Sequence, residues 1–267
     1  MITGRKPRVA LMGEFSAGKS TLSNLLLGAR PLPEKVTATR LAPVWISHGD
    51  SAPYRVDIDG STEPVSINAL EAIPVYETRV IRLFLEADIL EVCDLIDFPG
   101  ISDPNMPSEV WERMLPEVDA VIWCTHATQA WRQSESAVWD TMPDALRANS
   151  ILLITRYDKL INDNDRRRVL QRVRRETGDK FDAIFPISLI RALEAGEDYD
   201  KWNASGAGDF VSHLIATVDR LAKITARSDQ PLFNIRNGTR LPDPVPTPVV
   251  PRRVQRVAAD DDPADGS

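Results

Sequence analysis

The sequence has little of what secreted, metal-rich or membrane-spanning proteins need. Its 267 residues include two cysteines, Cys93 and Cys124, and three histidines, none at the spacing of a metal site. We therefore expect free thiols in a reducing compartment. No run approaches the ~18 apolar residues of a membrane span. The start, MITGRKPRVALMGEF, has an apolar stretch too short for a signal peptide, so we expect a cytoplasmic protein.

The sequence also lacks an excess of positive charge. Aspartate and glutamate total 39 against 32 lysines and arginines, a net charge of −7. Binding of nucleic acid by bulk electrostatics needs the opposite balance, so we expect no nucleic-acid partner. One basic run, DRRRVLQRVRRE at 165–176, also has an apolar side. It predicts a solvated helix face, and any contact with a membrane is expected to be indirect.

The sequence does contain an alternation of apolar runs and amphipathic segments from about residue 7 to 225. The predicted strands are RVALMGEF, DAVIWCTHA, SILLITRYD and DAIFPIS, and the predicted helices are KSTLSNLLLG, ending at Gly28, and residues 134–148, 163–177 and 207–225. Continuous apolar strands separated by helices predict a parallel sheet with both faces covered. The region of residues 40–92 is different: LAPVWISHGD, YRVDIDG and VIRLFLEADILEVCD predict extra antiparallel strands, with turn signals at Gly49-Asp50 and Asp59-Gly60.

The composition changes after about residue 227. Residues 228–267 are rich in proline and then in aspartate, with too little apolar surface for a core. We predict one domain over 1–227 and a disordered tail over 228–267. Whether that tail is a docking segment or an overhang stays open.

The stretch GEFSAGKST, residues 13–21, has the spacing of a phosphate-binding loop (P-loop). Its glycines allow a backbone path that points several N–H groups inward, next to the start of a helix. Lys19 is then expected to reach the β- and γ-phosphates and Ser20 to bind Mg²⁺. ATPases, kinases and GTPases all use such a loop, so the base remains to be decided.

Two further motifs address the metal and the base. In LIDFPG, residues 95–100, Asp97 ends an apolar run and suits a Mg²⁺ site, with Gly100 bringing a backbone N–H to the γ-phosphate. LLITRYDKL ends a predicted strand in residues 155–158. Asp158 can accept two hydrogen bonds from guanine, which adenine cannot donate, so GTP is favoured over ATP. A strand-end capping role for Asp158 is the alternative.

Taken in this order, the three motifs resemble the GTPase domain of dynamin-family proteins, particularly bacterial ones. The most specific piece is FSAGKST, residues 15–21. The segment TQAWRQSES, residues 128–136, just after a predicted strand, also resembles the family's loop at that point. The resemblance covers about residues 7–225. It implies an α/β P-loop NTPase fold of the GTPase type, doubly wound, with a mostly parallel sheet and extra antiparallel strands. It also implies hydrolysis of GTP to GDP and phosphate with Mg²⁺.

The resemblance further implies the site residues. Those expected at the nucleotide are Gly13, Glu14, Ser16, Ala17, Gly18, Lys19, Ser20, Thr21, Gly100, Thr155, Arg156, Asp158 and Ser188. Metal ligands are expected to be Ser20, Asp97 and a switch threonine, for which Thr39 is preferred over Thr37. Ser16, Lys19 and Thr39 are the catalytic candidates. Ser16 holds K⁺ or Na⁺ in the family, and the backbone N–H of Ser188 is expected at the guanine oxygen.

The sequence departs from the family in three respects. Phe15 and Ile101 stand where other members carry groups that orient the attacking water, and Arg156 replaces a lysine. We also expect the chain to lack the long helical stalk of the family. We therefore expect slow hydrolysis unless the domain forms a homodimer through its GTPase face, or a partner chain supplies the stalk functions. The alternatives are a GTP-binding switch or scaffold with little hydrolysis, and, less favoured because of Asp158, an ATPase or small-molecule kinase.

Overall fold

The computed structural model describes residues 5–28, 41–102 and 106–228. The strands in this part of the chain are β1 Arg8–Gly13, β2 Val44–His48, β3 Tyr54–Asp57, β4 Thr62–Pro64, β5 Thr78–Leu85, β6 Asp94–Asp97, β7 Ala120–His126, β8 Ile151–Thr155 and β9 Ala183–Pro186. The α-helices are α1 Lys19–Leu27, α2 Asp88–Val92, α3 Glu109–Glu112, α4 Gln133–Asp140, α5 Asp144–Arg147, α6 Asp163–Thr177, α7 Leu189–Ala195, α8 Tyr199–Ala204 and α9 Ala207–Ser228.

The strands form one mixed sheet in the order β4-β3-β5-β2-β6-β1-β7-β8-β9. The five strands from β6 to β9 in this order are mutually parallel, and β2 pairs antiparallel with β6. Apolar clusters cover both faces of the sheet. The predicted α/β fold, doubly wound and mostly parallel with added antiparallel strands, is therefore confirmed.

Gly49 follows β2 and precedes β3, as the turn signal predicts, although these two strands are not neighbours because β5 lies between them. Two local predictions were wrong. Residues 86–93 are not strand throughout, because α2 separates β5 from β6. The helix predicted over 134–148 is divided into α4 and α5, and Pro143 stands at the break. A proline disfavours helical geometry in the residue before it, which accounts for the interruption.

The path of the chain brings the carboxyl ends of several strands to one edge of the sheet. After β1 the chain builds strands on one side of it, and after β6 it crosses to β7 on the other. The carboxyl ends of β1, β6, β7 and β8 therefore lie at one edge, where this reversal leaves a crevice. Ligands of open α/β sheets bind in such a crevice. The predicted tail lies outside the described residues, except for Ser228, which ends α9.

Candidate functional site

The P-loop leaves β1 at Gly13 and enters α1 at Lys19, as the motif predicts. Gly13 has φ +137°, and a Cβ there would lie 2.1 Å from the carbonyl oxygen of Cys124 on β7. No other residue fits that position without displacing the strand. Ser16 and Gly18 also have positive φ, 59° and 95°. The backbone thus turns tightly over the end of the sheet before α1 begins.

Lys19 is folded back over this loop. Its side-chain ammonium donates hydrogen bonds to the carbonyl oxygens of Gly13, at 3.0 Å, and Glu14, at 2.9 Å. The residue is only 9% exposed. Burial lowers the pKa of Lys19, and the nearby Asp97 carboxylate opposes that shift. The ammonium is therefore held at the loop by acceptors that phosphate oxygens can replace.

Asp97 ends β6 beside Lys19. Its carboxyl is buried, which raises the pKa of Asp97 to about 6 although Lys19 favours the charged form. Its Oδ1 is buried and has no hydrogen-bond partner among the described residues. Leaving such an acceptor unpaired is unfavourable. The orphaned oxygen fits a metal ion or a metal-bound water, as the sequence predicts.

Two adjoining cavities lie at this edge of the sheet. The first, of about 210 Å³, is lined by the P-loop and α1 on one side and by residues 97–100 on the other. The second, of about 160 Å³, is lined by Asp158, Lys159 and the start of α7. Gly18, Thr21 and Arg156 line both cavities. The arrangement can hold a polyphosphate in the first cavity and a base in the second.

The structure beside the second cavity corrects the role expected for the backbone N–H of Ser188. The hydroxyl of Ser188 donates to Asp158 Oδ1 at 2.7 Å, so these two residues do lie together. The backbone N–H of Ser188, expected at the base, instead donates to the carbonyl oxygen of Ser205 at 2.9 Å. The cavity wall is formed by Leu189 and Ile190, whose first-turn amides in α7 have no partner within the helix.

The segment that follows β8, Thr155 to Asp158, is hydrogen-bonded directly to the P-loop. The Thr155 hydroxyl, which is fully buried, donates to the carbonyl oxygen of Ala17 at 2.7 Å. Arg156 has φ +52°, and its guanidinium donates to the carbonyl oxygen of Ser16 at 2.9 Å. Thr155 lines neither cavity and supports the P-loop through this hydrogen bond, whereas Arg156 lines both cavities.

The predicted residues divide into two sets by position. Those that line a cavity are Ser16, Gly18, Lys19, Ser20, Thr21, Asp97, Gly100, Arg156 and Asp158. Those that line neither cavity are Gly13, Glu14, Ala17, Thr155 and Ser188. The second set shapes the loops by backbone geometry and hydrogen bonds. The switch residues Thr37 and Thr39 lie outside the described residues.

Phe15 and Ile101, which depart from the family pattern, lie beside the first cavity. Phe15 is 53% exposed, and its N–H donates to the Ser102 hydroxyl at 3.1 Å. Ile101 N–H donates to the Gly13 carbonyl oxygen at 3.2 Å. These bonds attach the segment after Asp97 to the P-loop. Neither side chain carries a polar atom that can orient a water molecule.

Sequence reasoning missed the partners of Glu14. Its carboxylate accepts hydrogen bonds from Arg132, at 3.1 Å, and from Ser134, at 2.6 Å. Both residues follow β7, more than a hundred positions along the chain. The loop TQAWRQSES, residues 128–136, was already a point of resemblance, but nothing in its spacing indicates a contact with the P-loop.

The part of the chain that the structure describes contains no group of three or more histidine, cysteine, aspartate or glutamate side chains placed to hold a metal ion. Asp97 and Ser20 line the first cavity together, and oxygen groups of this kind suit a Mg²⁺ ion that also binds phosphates. Among the helices of the described residues, none combines the length and apolarity needed to cross a membrane.

Comparison with known proteins gives consistent matches. A model of the dynamin family matches residues 9–157, more than half of the chain. Dynamin-like protein 2 of Campylobacter jejuni is 27% identical over 216 residues, which are 79% of this chain and 35% of that protein. The chain therefore spans about a third of the length of this curated relative.

Solved structures agree on the fold. Two chains of an oligomerised bacterial dynamin pair, described as a mechanism for long-range sensing and tethering of membranes, superpose with TM-scores of 0.59 and 0.64. They are 20% and 18% identical in sequence. The matches cover 84% and 85% of this chain but only 36% and 40% of theirs. At such identities the likeness shows a shared domain fold.

Proposed function

Because this chain belongs to the dynamin family and carries its GTPase domain, we propose that it binds GTP with Mg²⁺ and hydrolyses it to GDP and phosphate. Hydrolysis is slow unless the domain dimerises or meets an activating partner. The protein acts in the cytoplasm and reaches membranes only through a partner. The tethering of membranes by the related dynamin pair supports a role of that kind.

The junction of the two cavities is the observation that carries the proposal. A phosphate cavity with Lys19 and Asp97 opens beside a second cavity with Asp158, and three residues are common to both. A single nucleotide spans them, with its phosphates over the P-loop and its base against Asp158. The Asp158 carboxylate selects guanine because it needs two donors on the base.

The chain's own residues have separable tasks in this reaction. Lys19 and the P-loop amides stabilise the negative charge that develops on the phosphoryl oxygens. Ser20 and Asp97, together with Thr39, would hold Mg²⁺. That ion supplies neutralisation of phosphate charge when bound. Gly100 brings its backbone N–H toward the terminal phosphate, and Thr155 keeps the P-loop in shape.

The slow rate follows from Phe15 and Ile101. Neither can position the attacking water, so a group from outside the described site must do so. A homodimer formed through the GTPase face supplies it, or a partner chain that also provides the stalk functions. K⁺ or Na⁺ bound near Ser16 contributes positive charge at the phosphates, as the resemblance to the family implies.

The test is to measure nucleotide affinity and turnover together, with Mg²⁺ and either K⁺ or a bulky organic cation, over a series of protein concentrations. We expect GTP to bind more tightly than ATP and turnover to rise more steeply than the protein concentration. Dependence on K⁺ supports the cation near Ser16. Preferential binding of ATP would overturn the proposed function.

A second candidate is a GTP-binding switch or scaffold with little hydrolysis of its own. The exposed Phe15 side chain favours it, because an apolar group stands beside the phosphate cavity where water must be oriented. Tight GTP binding with no turnover at any protein concentration would select this candidate.

A further inference from the structure

The P-loop contains an acidic residue whose charge works against its task. A carboxylate at Glu14 stands one residue after the first glycine of a loop that binds polyphosphate. A carboxylate close to the phosphates of a bound nucleotide repels them, and the repulsion is stronger where solvent is partly excluded. Glu14 is part-buried, with its side chain only 14% exposed. Some group must compensate its charge if the loop is to bind a nucleotide well.

The structure places that group on the loop after β7. Arg132 forms an ion pair with Glu14, 3.1 Å from Nη1 to Oε2, and the Ser134 hydroxyl donates to Oε1 at 2.6 Å. The carbonyl oxygen of Glu14 accepts from Lys19. The carboxylate is thus turned away from the phosphate cavity, and the same residue contacts the lysine that faces it.

The loop that carries Arg132 is itself firmly anchored. Glu135 is 1% exposed and accepts hydrogen bonds from the Trp123 indole at 3.0 Å, the Thr125 hydroxyl at 2.9 Å and the Arg132 backbone N–H at 2.9 Å. The Trp131 backbone N–H donates to the Thr125 hydroxyl at 2.9 Å. Arg132 is therefore presented from a fixed backbone although its side chain is 47% exposed.

We propose that Arg132 is a positioning residue of the GTP site, which neutralises Glu14 and fastens the loop after β7 to the P-loop. It acts through Glu14 and makes no contact with the nucleotide. The inference rests on the proposed function for its effect on GTP. The attachment of the two loops is independent of that function.

The test is a double-mutant cycle of E14Q and R132Q, measured as GTP affinity at about 50 and 300 mM KCl, between which the screening of exposed charges changes markedly. R132Q leaves the Glu14 charge uncompensated, so we expect GTP to bind about tenfold more weakly at low salt and the loss to shrink at high salt. E14Q should bind GTP as well as the wild type or more tightly. The double variant should recover to within about twofold of the wild type, because both charges are gone.

The matched control is R147Q, which removes an arginine that pairs with Asp144 on α5, outside both cavities. It should leave GTP affinity unchanged, and thermal unfolding should confirm that every variant folds. Affinity that stays weak in the double variant would mean that Arg132 contacts phosphate directly, and would overturn the proposal. Unchanged affinity in R132Q would overturn it as well.

Hydrogen exchange of the nucleotide-free protein separates this inference from the proposed function. We expect residues 127–135 to exchange faster in R132Q than in the wild type or R147Q, whether or not GTP binds. If the wild type binds no GTP, the proposed function fails and this measurement alone decides the attachment. Equal exchange in all three proteins would show that the ion pair does not hold the loops together.

Discussion

The two cavities of the site are built in different ways. The first cavity, in which we propose that the phosphates bind (the phosphate cavity), depends on backbone geometry and buried groups, since Gly13 has no room for a Cβ and both Lys19 and the Asp97 carboxyl are buried. The second cavity, proposed for the base (the base cavity), depends on side chains, chiefly the Asp158 carboxylate, which accepts a hydrogen bond from Ser188. Substitutions in the phosphate cavity should therefore abolish activity. Substitutions in the base cavity should instead change which base is preferred.

The largest effect is expected at Lys19. In Lys19→Ala the phosphate cavity loses its buried ammonium, and we expect turnover to fall about a thousandfold because charge on the phosphoryl oxygens is no longer stabilised. Steady-state phosphate release measures this. Lys223→Ala on α9, which removes an exposed pair with Asp219, is the control. Retention of a tenth of the activity would contradict the role given to Lys19.

The second prediction changes the base cavity without emptying it. Asp158→Asn replaces an acceptor by an amide that can donate to the extra oxygen of xanthine, so we expect GTP affinity to fall about a hundredfold and XTP affinity to rise. Competition between the two nucleotides measures the exchange. Ser188→Ala should weaken both nucleotides slightly and leave their order unchanged. If the Asp158→Asn protein still prefers GTP, the base does not bind at Asp158.

The third prediction uses the protonation of Asp97. Its pKa is raised to about 6 by burial, so the ionised form is less favoured in the folded than in the unfolded chain. The resulting stability is present at low pH and is lost as pH rises through that range. Without nucleotide, Asp97→Asn should match the wild type near pH 4 and be more stable by about 2 kcal/mol near pH 7.

Urea unfolding at the two pH values tests this expectation. The same variant should lose the Mg²⁺ dependence of GTP binding, so that greater stability accompanies weaker function. Equal unfolding free energies of the two proteins at both pH values would show that burial does not disfavour the Asp97 charge.

The smallest effect is expected at Thr155, which is bonded to the P-loop but lines neither cavity. Thr155→Val removes the donor to the Ala17 carbonyl oxygen, and we expect a loss of about 1 kcal/mol in unfolding free energy and a few-fold weaker binding of GTP. Thr177→Val is a close match, because the buried Thr177 hydroxyl donates to the Val173 carbonyl oxygen within α6. It should lower stability similarly and leave GTP affinity unchanged. If the two variants bind GTP with equal affinity, the Thr155 hydroxyl does not contribute to the nucleotide site.

The parallel half of the sheet and the P-loop were predictable from the sequence. Buried parallel strands appear as continuous apolar runs, and β1, β7, β8 and β9 were all expected. The P-loop motif likewise carries its own geometry, because its glycines and Lys19 act within nine consecutive residues. The antiparallel edge was less predictable, since the short strand β6 follows directly on α2 and the pairing of β2 with β5 joins distant segments.

The sequence by itself therefore determined the fold class and the P-loop, and it singled out Lys19, Asp97 and Asp158 as candidate site residues, because each depends on a local pattern. Only the tertiary structure decided that Ser188 supports Asp158 with its hydroxyl while its N–H is bonded to Ser205. It also brought Arg132 to Glu14 across 118 positions of the chain. Contacts of that kind arise where strand ends and loops converge at one edge of a sheet, and no spacing along a single segment encodes them.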